Sequence, residues 1–223
     1  MRKLILWDID GTLLNCGSDG TEALNKTFKD MYGVEDAFLS AGIGSKMDYD
    51  IIRNIMESND IYEKNFDNIK KCYCENLEFI LKEDHNKTVL PGIERLLEEI
   101  ESSPKFYQTL ITSNLKEGAM IKLRSVGLDR YFKNKAGGFG DTSEEKWHVC
   151  ESLIRSLGFS RGGNNIFLIG DGIYDIETSK RLGLVSIAVA TGWVDKEKLS
   201  ELNPDYIFDN FSKTEELKKI LGL

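Results

Sequence analysis

The chain lacks a basic surplus, a membrane-length apolar run, a cysteine framework and any internal repeat. Its 37 acidic residues outnumber 29 lysines and arginines, giving a formal net charge of -8. That deficit argues against nucleic acid or a membrane surface as partner, since both need basic patches. A small anionic substrate needs only local positive charge. No apolar run approaches the ~20 residues of a membrane-crossing helix. The first apolar run stops at Asp8, short of a signal-peptide core, so the expected location is cytoplasmic. Cys16, Cys72, Cys74 and Cys150 lack disulfide-framework or zinc spacing and read as free thiols. His85 and His148 have no partner cluster and read as surface or packing residues. No apolar stripe decides the oligomeric state.

What is present is an alternation. Strand-like runs fall at Lys3–Ile9, Phe106–Thr112, Ala136–Phe139, Ile166–Ile169, Leu184–Ala190 and Tyr206–Phe208. Several are continuously apolar, as parallel strands covered on both faces require. Helical patterns occupy Gly92–Glu101, Lys116–Val126, Glu144–Leu157, Ile173–Leu182 and Thr214–Leu221. Strands alternating with helices predict an α/β fold with a doubly wound parallel sheet. Residues 15–88 break the rhythm. They hold no convincing strand and carry helical stripes instead, Leu24/Phe28/Met31 and Phe66/Ile69/Tyr73/Leu77/Ile80. The expected organisation is a core of residues 1–14 and 89–223 with residues 15–88 as a helical insertion over the sheet's C-terminal edge, a candidate lid.

The chemistry concentrates at strand ends. Trp7-Asp8-Ile9-Asp10-Gly11-Thr12 delivers two carboxylates to the tip of a buried strand, where ligands bind in open α/β sheets. Burying them is costly without a cation or donors. Leu110-Ile111-Thr112-Ser113-Asn114 ends another strand in hydroxyls and an amide, ahead of a helix whose free N–H groups favour a phosphate. Lys146 opens a later helix, with Lys133 and Lys135 nearby. Gly170-Asp171-Gly172-Ile173-Tyr174-Asp175 puts two more acids on one face of a helix's first turn.

Taken in order, Asp-x-Asp-Gly-Thr, strand-Thr-Ser, Lys and Gly-Asp-x-x-x-Asp resemble the haloacid dehalogenase superfamily, in particular its phosphoglycolate-phosphatase-like group. The insertion resembles that family's first-type cap. The resemblance implies a Rossmann-like core and a Mg²⁺-dependent phosphatase acting on a small-molecule phosphate ester. Asp8 would be the nucleophile and Asp10 the general acid and base. Thr112 would hold a phosphoryl oxygen, and Lys146 would tie Asp8 to the phosphate. Gly11, Thr12, Ser113 and Asn114 would complete the phosphate site. Mg²⁺ would be held by Asp8, the Asp10 carbonyl and Asp171, with Asp175 acting through water or from behind. Gly42 to Asp48 resembles the family's cap turn, and its Lys46 invites comparison with a Schiff-base lysine, although a solvated lysine is the ordinary reading.

Asp10 speaks against the halide-releasing branch, which lacks this acid/base residue. A phosphomutase of the beta-phosphoglucomutase type is the nearest enzymatic alternative, and Asp-Gly-Thr rather than Asp-Gly-Val leans towards the phosphatase. A non-enzymatic phosphoreceiver module shares the sheet, acids and lysine, but its phosphoacceptor follows the third strand.

Overall fold

The computed structural model describes residues 2–41, 47–62, 66–83, 86–160 and 165–223. Five strands form one parallel sheet: β1 (Lys3–Trp7), β4 (Phe106–Leu110), β5 (Ile166–Gly170), β6 (Val185–Val189) and β7 (Tyr206–Phe208), in the order β4-β1-β5-β6-β7. The chain leaves β1 for β4 on one side and returns to β5 on the other. β1 and β5 therefore flank the point where the winding reverses, the usual binding crevice of an open α/β sheet.

Side-chain alternation explains why β1 is apolar from Leu4 to Trp7. Leu4 and Leu6 enter a cluster with Ile111, Cys150, Leu153 and Leu168. Ile5, Trp7 and Ile9 enter the larger cluster on the opposite face. Both faces are dry, so no alternate position tolerates a polar residue. The first polar side chain, Asp8, stands where the pairing ends.

The covering helices are α4 (Ile93–Glu101), α5 (Lys116–Ser125), α6 (Lys146–Ser156), α7 (Ile173–Leu182), α8 (Lys196–Glu201) and α9 (Thr214–Leu221). Between β1 and β4 lie α1 (Asp19–Tyr32), a 3-10 turn (Ala37–Ala41), α2 (Asp48–Ser58) and α3 (Phe66–Glu83). Two short strands, β2 (Leu14–Asn15) and β3 (Thr88–Val89), pair antiparallel and draw together the two ends of this helical stretch.

Two readings of the sequence need correction. Ala136–Phe139 is not a strand of the sheet but a single bridge, Ile111 to Gly138. Gly138 donates to Leu110 O and accepts from Thr112 N–H, both at 3.0 Å. Its neighbour is also glycine, and the Ile111 and Val149 side chains fill the space a Gly138 Cβ would need. The segment thus has nothing to pack as a regular strand. The second correction is α8, which no periodicity announced because six residues are too few. Asp195 starts it by accepting from Lys198 N–H at 2.9 Å.

Candidate active site

Register brings the polar strand ends together. Asp8 N–H donates to Ile169 O at 2.9 Å, and Ile111 N–H donates to Trp7 O at 2.8 Å. Asp8, Thr112 and Asp171 therefore emerge on one edge. Gly11 follows in the left-handed region at φ +74°. A side chain there would be strained and would also strike Asp171. Gly192 closes the far side, since a Cβ at that position would overlap the Asp171 carboxylate. Two glycines thus let Asp171 approach the β1 loop, where Thr12 Oγ1 donates to its Oδ1 at 3.1 Å.

Asp8, Asp171 and Asp175 are all buried, and a carboxylate oxygen of each lies within 4.8 Å of the others. One amine pairs with two of them. Lys146, at the start of α6, stands 2.8 Å from Asp8 Oδ1 and 2.7 Å from Asp175 Oδ1. Asp175 also accepts from Gly172 N–H through Oδ2 at 3.1 Å, which fixes it at the head of α7. Burial pushes the Asp8 carboxyl up to about 7; Lys146 pulls it down and Asp175 adds to the rise. Burial, then Asp8 and Asp175, push Asp171 up to about 8 against the pull of Lys146 and Thr12. Burial opposes the Lys146 charge, but Asp175 and Asp8 outweigh it and hold its pKa well above the lysine range. Three carboxylates facing one ammonium leave a charge deficit. Hard oxygen donors in that surplus suit a divalent cation such as Mg²⁺. This donor set fits the expected metal.

Asp10 goes elsewhere. Its carboxylate takes Lys122 Nζ at 2.9 and 2.7 Å and Asn114 Nδ2 at 2.7 Å. Lys122 also donates to Asn114 Oδ1 at 2.7 Å, and Asn114 donates to Thr112 Oγ1 at 2.8 Å. Sequence reasoning missed Lys122. Burial opposes its charge, but Asp10 and Asp48 hold its pKa above the usual lysine value. One signal was present: Leu115, Ala119, Lys122 and Val126 share one helix face, so this lysine occupies the inward stripe of α5.

The phosphate cradle expected at the N-terminus of α5 is partly filled by protein. Leu115 N–H donates to Asp48 Oδ2 at 3.0 Å, and Lys116 N–H donates to Asp141 Oδ2 at 2.9 Å. Helix N-termini attract carboxylates for the same reason they attract phosphate. Asp48 caps α5 from the start of α2, its carboxyl pushed up to about 6 by burial. Its N–H meets Ser113 O at 2.9 Å, and Lys70 of α3 pairs with Asp141. These contacts seat α2 and α3 on the sheet edge. Asn114, expected at the phosphate, has its amide engaged by Asp10, Thr112 and Lys122. A cleft of about 440 Å³ opens past Ser113 and Lys146, between Met47, Trp147, Tyr174 and Arg181. Gly42 to Lys46 and His85 lie outside the described residues. His148 is exposed and stacks near Trp147. No described helix is long and apolar enough to cross a membrane.

The chain is similar to known proteins over most of its length. Residues 5–189 match the family described as haloacid dehalogenase-like hydrolase. A phosphoglycolate phosphatase of Aquifex aeolicus (strain VF5) is 27% identical over 226 residues, covering 98% of this chain and 96% of its own. A second, from Mesorhizobium japonicum, is 23% identical over 221 residues, covering 94% and 92%. The crystal structure of CbbY from Rhodobacter sphaeroides in complex with phosphate matches with a TM-score of 0.74 over 96% of this chain and 97% of that one, at 19% identity. At that identity the likeness speaks for the fold alone. With its parallel sheet, clustered strand-end aspartates and a family match spanning most of its length, the chain belongs to the haloacid dehalogenase-like hydrolases.

Proposed function

We propose that the chain is a Mg²⁺-dependent phosphatase that hydrolyses a small phosphomonoester through an aspartyl-phosphate on Asp8. One observation carries this reading: Lys146 bridges Asp8 and Asp175 at the sheet edge while Asp10, two residues on, is held apart on its own amine. Two carboxylates so close in sequence are thereby kept for different tasks. The phosphoglycolate phosphatase relatives support the same reaction class.

Asp8 Oδ attacks phosphorus, and the P–O bond to the leaving group breaks as Asp10 gives its proton to the leaving oxygen. Asp10 then takes a proton from water, whose oxygen attacks phosphorus and frees Asp8. Lys146 stays protonated throughout and offsets the charge gathered around Asp8. Thr112 and Ser113 flank the phosphoryl position, with Gly11 and Thr12 shaping the opposite wall. Asp8, Asp171, Asp175 and the Asp10 carbonyl would hold Mg²⁺. The bound cation supplies charge neutralisation for the carboxylates and the phosphoryl oxygens, the principal demand of phosphoryl transfer. Residues 15–88 act as a lid that excludes bulk water and meets the leaving group. The working location is the cytoplasm.

Phosphate release from a panel of phosphorylated metabolites tests this. Turnover with Mg²⁺, lost with EDTA and in Asp8→Asn, is the expected result. Sugar-phosphate isomerisation without phosphate release would contradict the hydrolase and select a mutase.

A further inference from the structure

Lys122 is a buried amine that the scheme above does not use. It is 6% exposed and projects from the middle of α5 into the seam with the helical insertion. A Cβ at Gly20 of α1 would sit 3.6 Å from its Nζ and 3.8 Å from the Tyr73 hydroxyl of α3. The amine thus runs through a channel made by small and aromatic neighbours. An ammonium has three donors. Here one is aimed at each Asp10 oxygen and one at Asn114 Oδ1. Asn114 returns its own amide hydrogens to Asp10 Oδ2 and Thr112 Oγ1. The Asp10 side chain remains 39% exposed while that of Lys122 is 7% exposed. The donors therefore grip the carboxylate from its protein side and leave another side open.

We propose that Lys122 is the positioning residue of Asp10, fixing with Asn114 the place from which Asp10 gives a proton to the leaving oxygen and takes one from water. This rests on the phosphatase reading. Lys122 keeps its own protons in both steps. It touches neither substrate nor phosphorus, and its main route is through Asp10, which takes two of its three hydrogen bonds. The consequence is selective. A leaving group that departs easily needs little protonation, whereas a poor one depends on a well-placed acid. Positioning is worth part of the ~10²–10⁴-fold that general acid catalysis supplies.

The test uses full-length protein, Mg²⁺ and two esters of similar shape, p-nitrophenyl phosphate and phenyl phosphate. Lys122→Met is expected to lower kcat on phenyl phosphate by about 30-fold or more and on p-nitrophenyl phosphate by less than about 5-fold. In an Asp10→Asn background the same change is expected to cost less than about 2-fold, because coupled residues do not add. Equal losses on both esters, or an undiminished loss in the Asp10→Asn background, would overturn the proposal. Thermal melting establishes that the variants are folded, and Lys122→Gln is measured in the same way should the methionine variant not fold. If the unsubstituted protein hydrolyses neither ester, this inference and the phosphatase reading fall together. If it hydrolyses both, and Asp8→Asn abolishes turnover while Lys122→Met shows no ester dependence, only this inference falls.

Discussion

The two sides of the β1 tip set a carboxylate in different surroundings. On the Asp8 side, three carboxylates cluster where Lys146 pairs with only Asp8 and Asp175, and burial with mutual repulsion raises Asp8 and Asp171 far above the usual carboxylate range. On the Asp10 side, one carboxylate has an amine and an amide to itself. The first arrangement calls for a cation. The second is already balanced at its centre and holds a side chain still. Two aspartates separated by Ile9 thus enter opposite electrostatic settings, and the proposed mechanism assigns bond formation at phosphorus to the first and proton transfer to the second.

Removing Asp8 should break the comparison most severely. Asp8→Asn is expected to lower phosphate release by more than about 10³-fold, since the proposed mechanism has no other group to attack phosphorus. Next comes Lys146→Met, which leaves Asp8 and Asp175 buried beside each other without their amine. Breaking such a pair costs on the order of 3–5 kcal/mol. Denaturant unfolding in EDTA should register that loss, and saturating Mg²⁺ should recover part of it. Unchanged stability would mean that the carboxylate trio is less burdened than its geometry implies.

A pH series sharpens the contrast. Folded Asp8 and Asp171 keep their protons up to about 7 and about 8. In the unfolded chain carboxyl groups release theirs near about pH 4. Between those limits the folded state binds more protons, so its stability falls as pH rises. In EDTA, Tm is expected to drop from about pH 4 to about pH 8 and to level off above that. Mg²⁺ competes with those protons, so its stabilisation should be larger at the higher pH. The opposite slope in EDTA would remove the charge deficit from the account. The smallest effect belongs to Lys70→Met. It breaks the partly exposed pair with Asp141 that ties α3 to the loop before α6, and should change stability by less than about 1 kcal/mol.

Much of this was readable from the residues because it is local. The apolar runs behind β1 and β5 mark strands covered on both faces, and Asp8 and Asp171 each follow such a run, while Thr112 follows the shorter Leu110-Ile111. What stayed hidden depends on partners distant in sequence. The helix stripe puts Lys122 on the inward face of α5, but its partner Asp10 lies 112 residues away and no local pattern names it. Asp48 and Asp141 reach the N-terminus of α5 only once the insertion is folded over the sheet, so a helix start that seemed free for phosphate has its first N–H groups engaged. Ala136–Phe139 carried an apolar pattern at its ends, but two central glycines left it a bridge. β2 and β3, two residues each, are too short for any periodicity to show.

The division of labour between the two aspartates is tested most directly by finding where the phosphoryl group goes. Asp10→Asn protein, mixed with p-nitrophenyl phosphate and Mg²⁺ and quenched in acid, can be digested and its peptides weighed. The account predicts one phosphoryl group on Asp8, accumulating because its hydrolysis lacks a base. A phosphoryl group on any other residue, or turnover by the unsubstituted protein that persists in Asp8→Asn, would contradict it.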